Sequence, residues 1–121
     1  MLSITSIGQI RLTRGDSLEF PLYINQGDNL DPLAYVMNQY DELYFAIMEP
    51  NQPWEQAIVK QKYTHESLKD DAIWIKLRPK DTMCLLPGLY YYQVKIRTYD
   101  FMTDEYLVNT LMPKTQFWIE E

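Results

Sequence analysis

Apolar residues in this chain recur at every second position, in short runs cut by polar turns, and no window sustains an apolar stripe at i, i+3, i+4, i+7. From Ser17 to Asn25 the order SLEFPLYIN puts Leu18, Phe20, Leu22 and Ile24 on one face, with Glu19, Pro21 and Tyr23 on the other. The same alternation returns at Leu43, Phe45 and Ile47, at Ile73, Ile75 and Leu77, and at Tyr90, Tyr92, Val94 and Ile96. Weaker versions occupy Ile10 to Leu12, Ile58 to Lys62, Tyr106 to Val108 and Phe117 to Ile119. Turn residues separate the runs at Arg14-Gly15-Asp16, Gln26 to Asn29, Glu49 to Pro53, Lys69 to Asp71, Pro87-Gly88 and Tyr99 to Asp104.

Short strands at regular spacing predict an all-β fold of roughly eight strands, an antiparallel β-sandwich or barrel. A parallel sheet is disfavoured because its crossovers need helices of about a dozen residues. The best helical candidate, Pro79 to Leu85, is good for a turn or two, with Pro79 suited to the first position and Asp81 near the positive end of the dipole. Pro21 cannot donate to a ladder and predicts a peripheral strand. The segment Gln26 to Asp41 lacks alternation, yet Leu33, Tyr35, Val36 and Met37 are apolar enough to cover part of the core. The predicted core is Phe20, Leu22, Phe45, Ile47, Ile75, Tyr92, Val94, Ile96 and Phe117.

A length of 121 residues suits one domain, 1–121, with one core. With 46% hydrophobic and 23% charged residues the composition is globular. A net charge of -6 repels polyphosphate, and no local basic patch is visible in the sequence, so nucleic acid is not an expected partner. No apolar run approaches the ~20 residues that cross a bilayer, and the start MLSITSIGQIRL lacks the basic and apolar regions of an export signal. These readings predict a soluble protein made in a reducing compartment.

The inventory for chemistry is thin. One cysteine, Cys84, and one histidine, His65, leave little for nucleophilic catalysis, which needs a nucleophile, a base and an orienting group. Cys84 reads as a small buried apolar residue and His65 as a solvated loop residue, so no enzyme, cofactor or metal is expected. The carboxylate pairs Asp70-Asp71, Asp104-Glu105 and Glu120-Glu121 read as charged turns, and no D-x-D-x-D-G calcium loop occurs. Arg14-Gly15-Asp16 spells the integrin-binding tripeptide, but a turn with Gly15 at positive φ accounts for it.

The residues out of phase with the core are more informative. If Leu43, Phe45 and Ile47 point inward, Tyr44, Ala46 and Met48 point outward, and the same rule sends Leu89, Tyr91, Trp74 and Trp118 out. Tyr44, Tyr91 and Trp118 are therefore the candidate partner interface, on strands expected side by side in one sheet, unless the segment Gln26 to Asp41 folds over them. Stacking of a sugar on these rings is a further reading.

The order of motifs resembles a known family. The opening ITSIGQIRLTRGDSLEFPLYI, the middle DELYFAIMEP, the later IWIKLRPKDTMCLLPGLYYYQVKI and the closing FWIEE look like a small immunoglobulin-like domain of phages and prophages, similar to the N-terminal attachment domain of baseplate upper proteins. Gly88-x-Tyr90 is similar to the tyrosine corner of such domains, with Leu86 where an Asp is usual. The resemblance implies an immunoglobulin-like antiparallel β-sandwich of about seven to eight strands, serving as a non-enzymatic structural or assembly module of a virion tail, baseplate or fibre attachment. It would be made in the host cytoplasm and carried in the virion, with other virion proteins or itself as partner. A free-standing sandwich that binds carbohydrate is the alternative, and hydrolase activity ranks third.

Overall fold

The computed structural model describes residues 2–4, 7–26, 33–35, 37–70 and 72–121. Its strands are β1 (Leu2–Ile4), β2 (Ile10–Thr13), β3 (Leu18–Leu22), β4 (Ile24–Gln26), β5 (Leu33–Ala34), β6 (Glu42–Met48), β7 (Val59–Thr64), β8 (Leu68–Lys69), β9 (Ala72–Leu77), β10 (Gly88–Asp100) and β11 (Glu105–Glu120), with one helix, α1 (Pro79–Met83). Five strands form one sheet in the order β2-β11-β10-β6-β7. The opposite layer is β3-β9-β8, and β1-β4-β5 form a third sheet whose first strand also contacts β11. Tyr23 alone separates β3 from β4, so one run of chain passes through both small sheets.

The five-stranded sheet and β3-β9-β8 pack face to face as the two layers of an all-β sandwich. Two differences from the sequence reading have clear causes. The expected strands at Tyr106 to Val108 and Phe117 to Ile119 are one 16-residue strand, β11, whose alternation is broken by two bulges between its pairings with Tyr92 and Lys95. The architecture is also not wholly antiparallel, because β2 runs parallel to β11 through Ile10↔Phe117 to Thr13↔Glu120. No crossover helix is needed there: almost the whole chain lies between the two strands. Pro21 sits where its missing N–H does least harm, since β3 pairs with β9 alone at the edge of its sheet.

The core joins the layers through a line of rings. Phe20 of β3 meets Phe45 of β6 edge-on at 6.0 Å, Phe45 lies 5.8 Å from Tyr92 of β10, and Tyr92 meets Phe117 of β11 edge-on at 6.3 Å. All the predicted core residues are buried except Phe20, which is half-buried and packs against the cluster. Immunoglobulin domains often pin this point with a disulfide against a Trp. A chain with one cysteine fills it with aromatic volume instead. Tyr92 also keeps its hydroxyl satisfied by donating to the Gly8 carbonyl, and Tyr90 makes the tyrosine-corner bond by donating to the Leu86 carbonyl at 2.8 Å. Because the acceptor is a backbone oxygen, Leu serves at that position as well as Asp.

Met37 is buried and Tyr35 packs on the core, as expected of the segment before β6. Gly27 to Asn29 of the expected turn, Val36 and Asp71 lie outside the described residues. Gly15 has φ +88°, and a Cβ there would stand 2.9 Å from Met83 Sδ. Its N–H donates to the buried Thr82 hydroxyl at 3.0 Å, and Arg14 donates to the Met83 carbonyl at 2.8 Å. Arg14-Gly15-Asp16 is thus a turn seated on α1. The helix itself starts at Pro79 and is capped by Asp81, whose carboxylate accepts from the Arg78 N–H at 2.9 Å. Cys84 corrects the sequence reading. It is exposed, because the turn that closes α1 sends Leu85 into the core in its place.

Truncating Phe45 to Ala removes the ring that touches both Phe20 and Tyr92 and should cost about 3–5 kcal/mol. Urea denaturation checks this, and a loss below about 1 kcal/mol would be incompatible with the packing described. Burial pushes the Tyr92 phenol from the ordinary 10.0 to about 12. A raised pKa means stability that is complete below pH 10.0 and is lost as the pH climbs toward about 12, because the unfolded chain ionises first. Tyr92→Phe should remove about 2–3 kcal/mol of this alkaline loss, read from denaturation at pH 9 and at pH 12.

Candidate interaction surface

In the five-stranded sheet the residues opposite the core form an outer face. The pairings Tyr44↔Lys95, Tyr91↔Gln116 and Leu89↔Trp118 place Tyr44, Tyr91 and Trp118 on this face, on the adjacent strands β6, β10 and β11. They do not form one compact patch. Tyr44 is level with Lys95, four positions along β10 from Tyr91, whereas Trp118 is diagonal to Tyr91 beside Leu89. All three are half-buried. The Arg11 guanidinium lies 5.2 Å from the Trp118 ring centre and is itself paired to Glu120 at 2.9 Å. Of this segment Met37 lies in the core and Leu33–Ala34 pairs with β4.

A different segment covers part of the face. Ala46 and Met48, expected to point into solvent, are fully buried. The connection from β6 to β7 carries a short 3₁₀ turn, Trp54–Gln56, and the Trp54 ring lies 4.8 Å from Lys95 Nζ and 5.8 Å from Lys60 Nζ. Those lysines stand on β10 and β7 and pair with Tyr44 and Ala46 of the intervening β6. Lys114 of β11 fastens the loop by donating to the Gln52 carbonyl at 2.7 Å.

Beside Trp54 is a cavity of about 360 Å³ lined by Tyr44, Trp54, Glu55, Lys60, Lys95, Arg97 and Val108. Glu42 anchors its wall. The carboxylate accepts from Tyr44 Oη and from the Arg97 guanidinium, with Lys62 Nζ 3.8 Å away. The Tyr44 hydrogen bond leads the causes that hold the Glu42 carboxyl below the usual carboxylate range, followed by the charges of Arg97 and Lys62 against a desolvation that opposes them. Lys60 and Lys95 have no carboxylate within ion-pair distance among the described residues. A second basic cleft of about 360 Å³ lies between β7 and β9, lined by Lys62, Lys76, Arg78 and Lys80. The pairing of Lys60 with Lys95 is not visible in the sequence, because it joins strands distant along the chain, whereas Lys76, Arg78 and Lys80 of the second cleft stand close together in it.

Five of the ten exposed large hydrophobic side chains among the described residues lie on the arm formed by the ends of β10 and β11. β6 accompanies β10 only to Arg97, and β2 joins β11 only from Phe117 onward. Beyond these limits Thr98–Asp100 and Glu105–Leu107 continue as a two-stranded hairpin closed by Phe101–Asp104. Every residue from Phe101 to Thr110 is exposed, Met102 at 96%. The arm carries a cluster of rings in which Tyr99 lies 4.8 Å from Phe101 and 5.2 Å from Tyr106, with Tyr40 5.3 Å from Phe101. Arg97 caps Tyr106 at 4.3 Å. Sequence reasoning took Tyr99 to Asp104 for a simple turn. The available signal was the number of aromatic and aliphatic residues in and after it, Tyr99, Phe101, Met102, Tyr106, Leu107 and Val108.

His65 is half-buried at the start of a 3₁₀ turn, His65–Ser67, with Nδ1 buried and unpartnered, so it is not the freely solvated residue the sequence suggested. Cys84 donates its thiol hydrogen to the Asp81 carbonyl at 2.9 Å. The two belong to different connections, between β7 and β8 and between α1 and β10. Among the described residues no three His, Cys, Asp or Glu side chains gather to hold a metal ion, and no helix is long and apolar enough to cross a membrane.

No protein-family model matches the chain, and no curated protein matches it.

Because the folded state holds the Glu42 carboxyl below its ordinary pKa, the carboxylate's contribution is present above the unfolded pKa of about 4.3 and is lost as the pH falls below it. Glu42→Gln should therefore lower stability at pH 7 and leave a smaller difference from wild type at pH 3, measured by thermal unfolding at both.

Proposed function

We propose that this chain is a non-enzymatic assembly module of a phage or prophage particle that works through protein contacts. The observation that carries the reading is the β10–β11 arm. A two-stranded hairpin standing clear of its sheet is only marginally stable in water, and a surface bearing Phe101, Met102, Tyr106, Leu107 and Val108 in the open is of the kind that a partner covers. The sandwich architecture and the sequence resemblance support the assignment to a virion attachment part. Carbohydrate binding is less favoured by this geometry: the Trp118 ring is occupied by Arg11, and the arm rings pack edge to face with one another.

The test is mass spectrometry of purified particles induced from the host that carries the gene, together with the neighbouring genes. The expected result is the chain present in fixed ratio to the tail proteins, beside genes for virion parts. Particles lacking it, or a gene set among metabolic operons, would overturn the assignment.

A further inference from the structure

The cleft between β7 and β9 gathers Lys62, Lys76, Arg78 and Lys80, four of the eleven Lys and Arg side chains of a chain whose net charge is -6. The single carboxylate in its lining, Asp81, is engaged as the cap of α1 and accepts from the Arg78 N–H at 2.9 Å. Arg78 and Lys80 have no carboxylate within ion-pair distance among the described residues, and Lys62 and Lys76 stand 3.8 Å from Glu42 and 3.9 Å from Glu19, beyond hydrogen-bond reach. The floor is fixed by side chains of β7 bonded to β9: Gln61 Nε2 donates to the Lys76 carbonyl at 2.8 Å, and the Lys76 N–H donates to Tyr63 Oη at 3.2 Å. A hollow of about 240 Å³ adjoins the cleft, because Tyr63 and Lys76 line both. Its wall is Trp74, held by donation from Nε1 to the Lys69 carbonyl at 3.0 Å. Ile73, Ile75 and Leu77 are buried, which puts Trp74 and Lys76 on the outer side of β9, and the extended backbone at Arg78 continues the alternation. An indole and two cations therefore follow one another along one side of the chain at steps of about 6.8 Å.

We propose that this groove binds an extended acidic segment of a partner protein, with an apolar residue against Trp74 and carboxylates two and four positions further on against Lys76 and Arg78. An extended peptide presents the side chains of one face at the same spacing as the strand beneath it, and a guanidinium takes a carboxylate through two parallel hydrogen bonds. The carboxylates already in the groove favour this class of ligand. Glu19, across from Lys76 on β3, and Asp81 lie among the cations. A polyphosphate, charged at every unit, meets repulsion between the lysines, whereas a peptide carries its charges at chosen positions with neutral residues between. The net charge of -6 acts against the densely charged polymer in the same way. Complementary charge of this kind gives specificity and speeds encounter. The groove lies on β7 and β9, neither of which contributes to the arm, so the inference goes beyond the reading of the arm and rests neither on it nor on the identity of the particle.

Fluorescence anisotropy of a rhodamine-labelled peptide, Ser-Phe-Ser-Glu-Ser-Glu-Ser-Glu-Ser, tests it. Wild type should bind at about 50 mM salt and lose at least about fivefold in affinity at about 300 mM, because exposed charges are screened. Lys76→Glu with Lys80→Glu should weaken binding by at least about tenfold, with far-UV circular dichroism to confirm folding. Lys76→Gln with Lys80→Gln should weaken it in the same direction, and stands in if the reversal fails to fold. Lys60→Glu with Lys95→Glu, in the Trp54 cavity, should leave binding unchanged. Trp74→Leu should cost the Phe peptide severalfold and leave unaffected a peptide with Ser in place of Phe. The proposal is overturned by a wild type that ignores the peptide, by equal binding of a peptide with Gln in place of Glu, or by indifference to the groove variants. An equal loss in the Trp54-cavity variant overturns it, as does tighter binding of a short oligothymidylate. A wild type that self-associates in light scattering, and ceases to with Lys76→Glu and Lys80→Glu, assigns the groove to a second copy and overturns it too. Peptide binding by a chain absent from particles counts against the virion assignment alone, and a chain present in them that ignores the peptide counts against the groove alone.

Discussion

The structure depends on β10 being hydrogen-bonded on both sides for part of its length and on one side for the rest. Between Tyr91 and Arg97 it lies between β6 and β11, with Tyr92, Val94 and Ile96 filling the core. Past Arg97 only β11 remains beside it. One ladder thus serves as spine of the sandwich and as the root of a free arm, so the arm inherits its direction from the packed sheet. The bulges in β11 lie just before the free stretch, where extra residues increase local twist.

The core tolerates the absence of a disulfide because the inter-sheet gap is filled by rings that meet edge-on or tilted, arrangements favoured by the aromatic quadrupole. Tyrosine in that line carries a hydroxyl that must be paired when buried, and Tyr92 reaches a backbone carbonyl at Gly8. Tyr90 does the same at Leu86. Both bonds tie loops to the strand that organises the domain.

The outer face is divided by charge. Glu42 satisfies Arg97 and part of Lys62, whereas Lys60 and Lys95 share an aromatic ring, a weaker partner than a carboxylate. In a chain of net charge -6 these two cations are a local exception, and they stand on the same side of the sheet as the exposed rings of the arm.

The period-two pattern determined the all-β class, the two-faced strands and nearly all of the core, because alternation is a local property that a buried face imposes on each strand. The Gly15 turn and the Pro79 helix start were legible for the same reason: positive φ and a missing N–H act where the residue stands. Sequence also placed Tyr44, Tyr91 and Trp118 on one face. Tertiary structure alone decided how far apart they are, that Ala46 and Met48 are buried on that face, and that Lys60 and Lys95 meet on the Trp54 ring. It also decided that Tyr99 continues a strand beyond the sheet and that Leu85, not Cys84, turns inward. Each of these follows from strand register and the lengths at which neighbouring strands stop, which are set between segments distant in the chain.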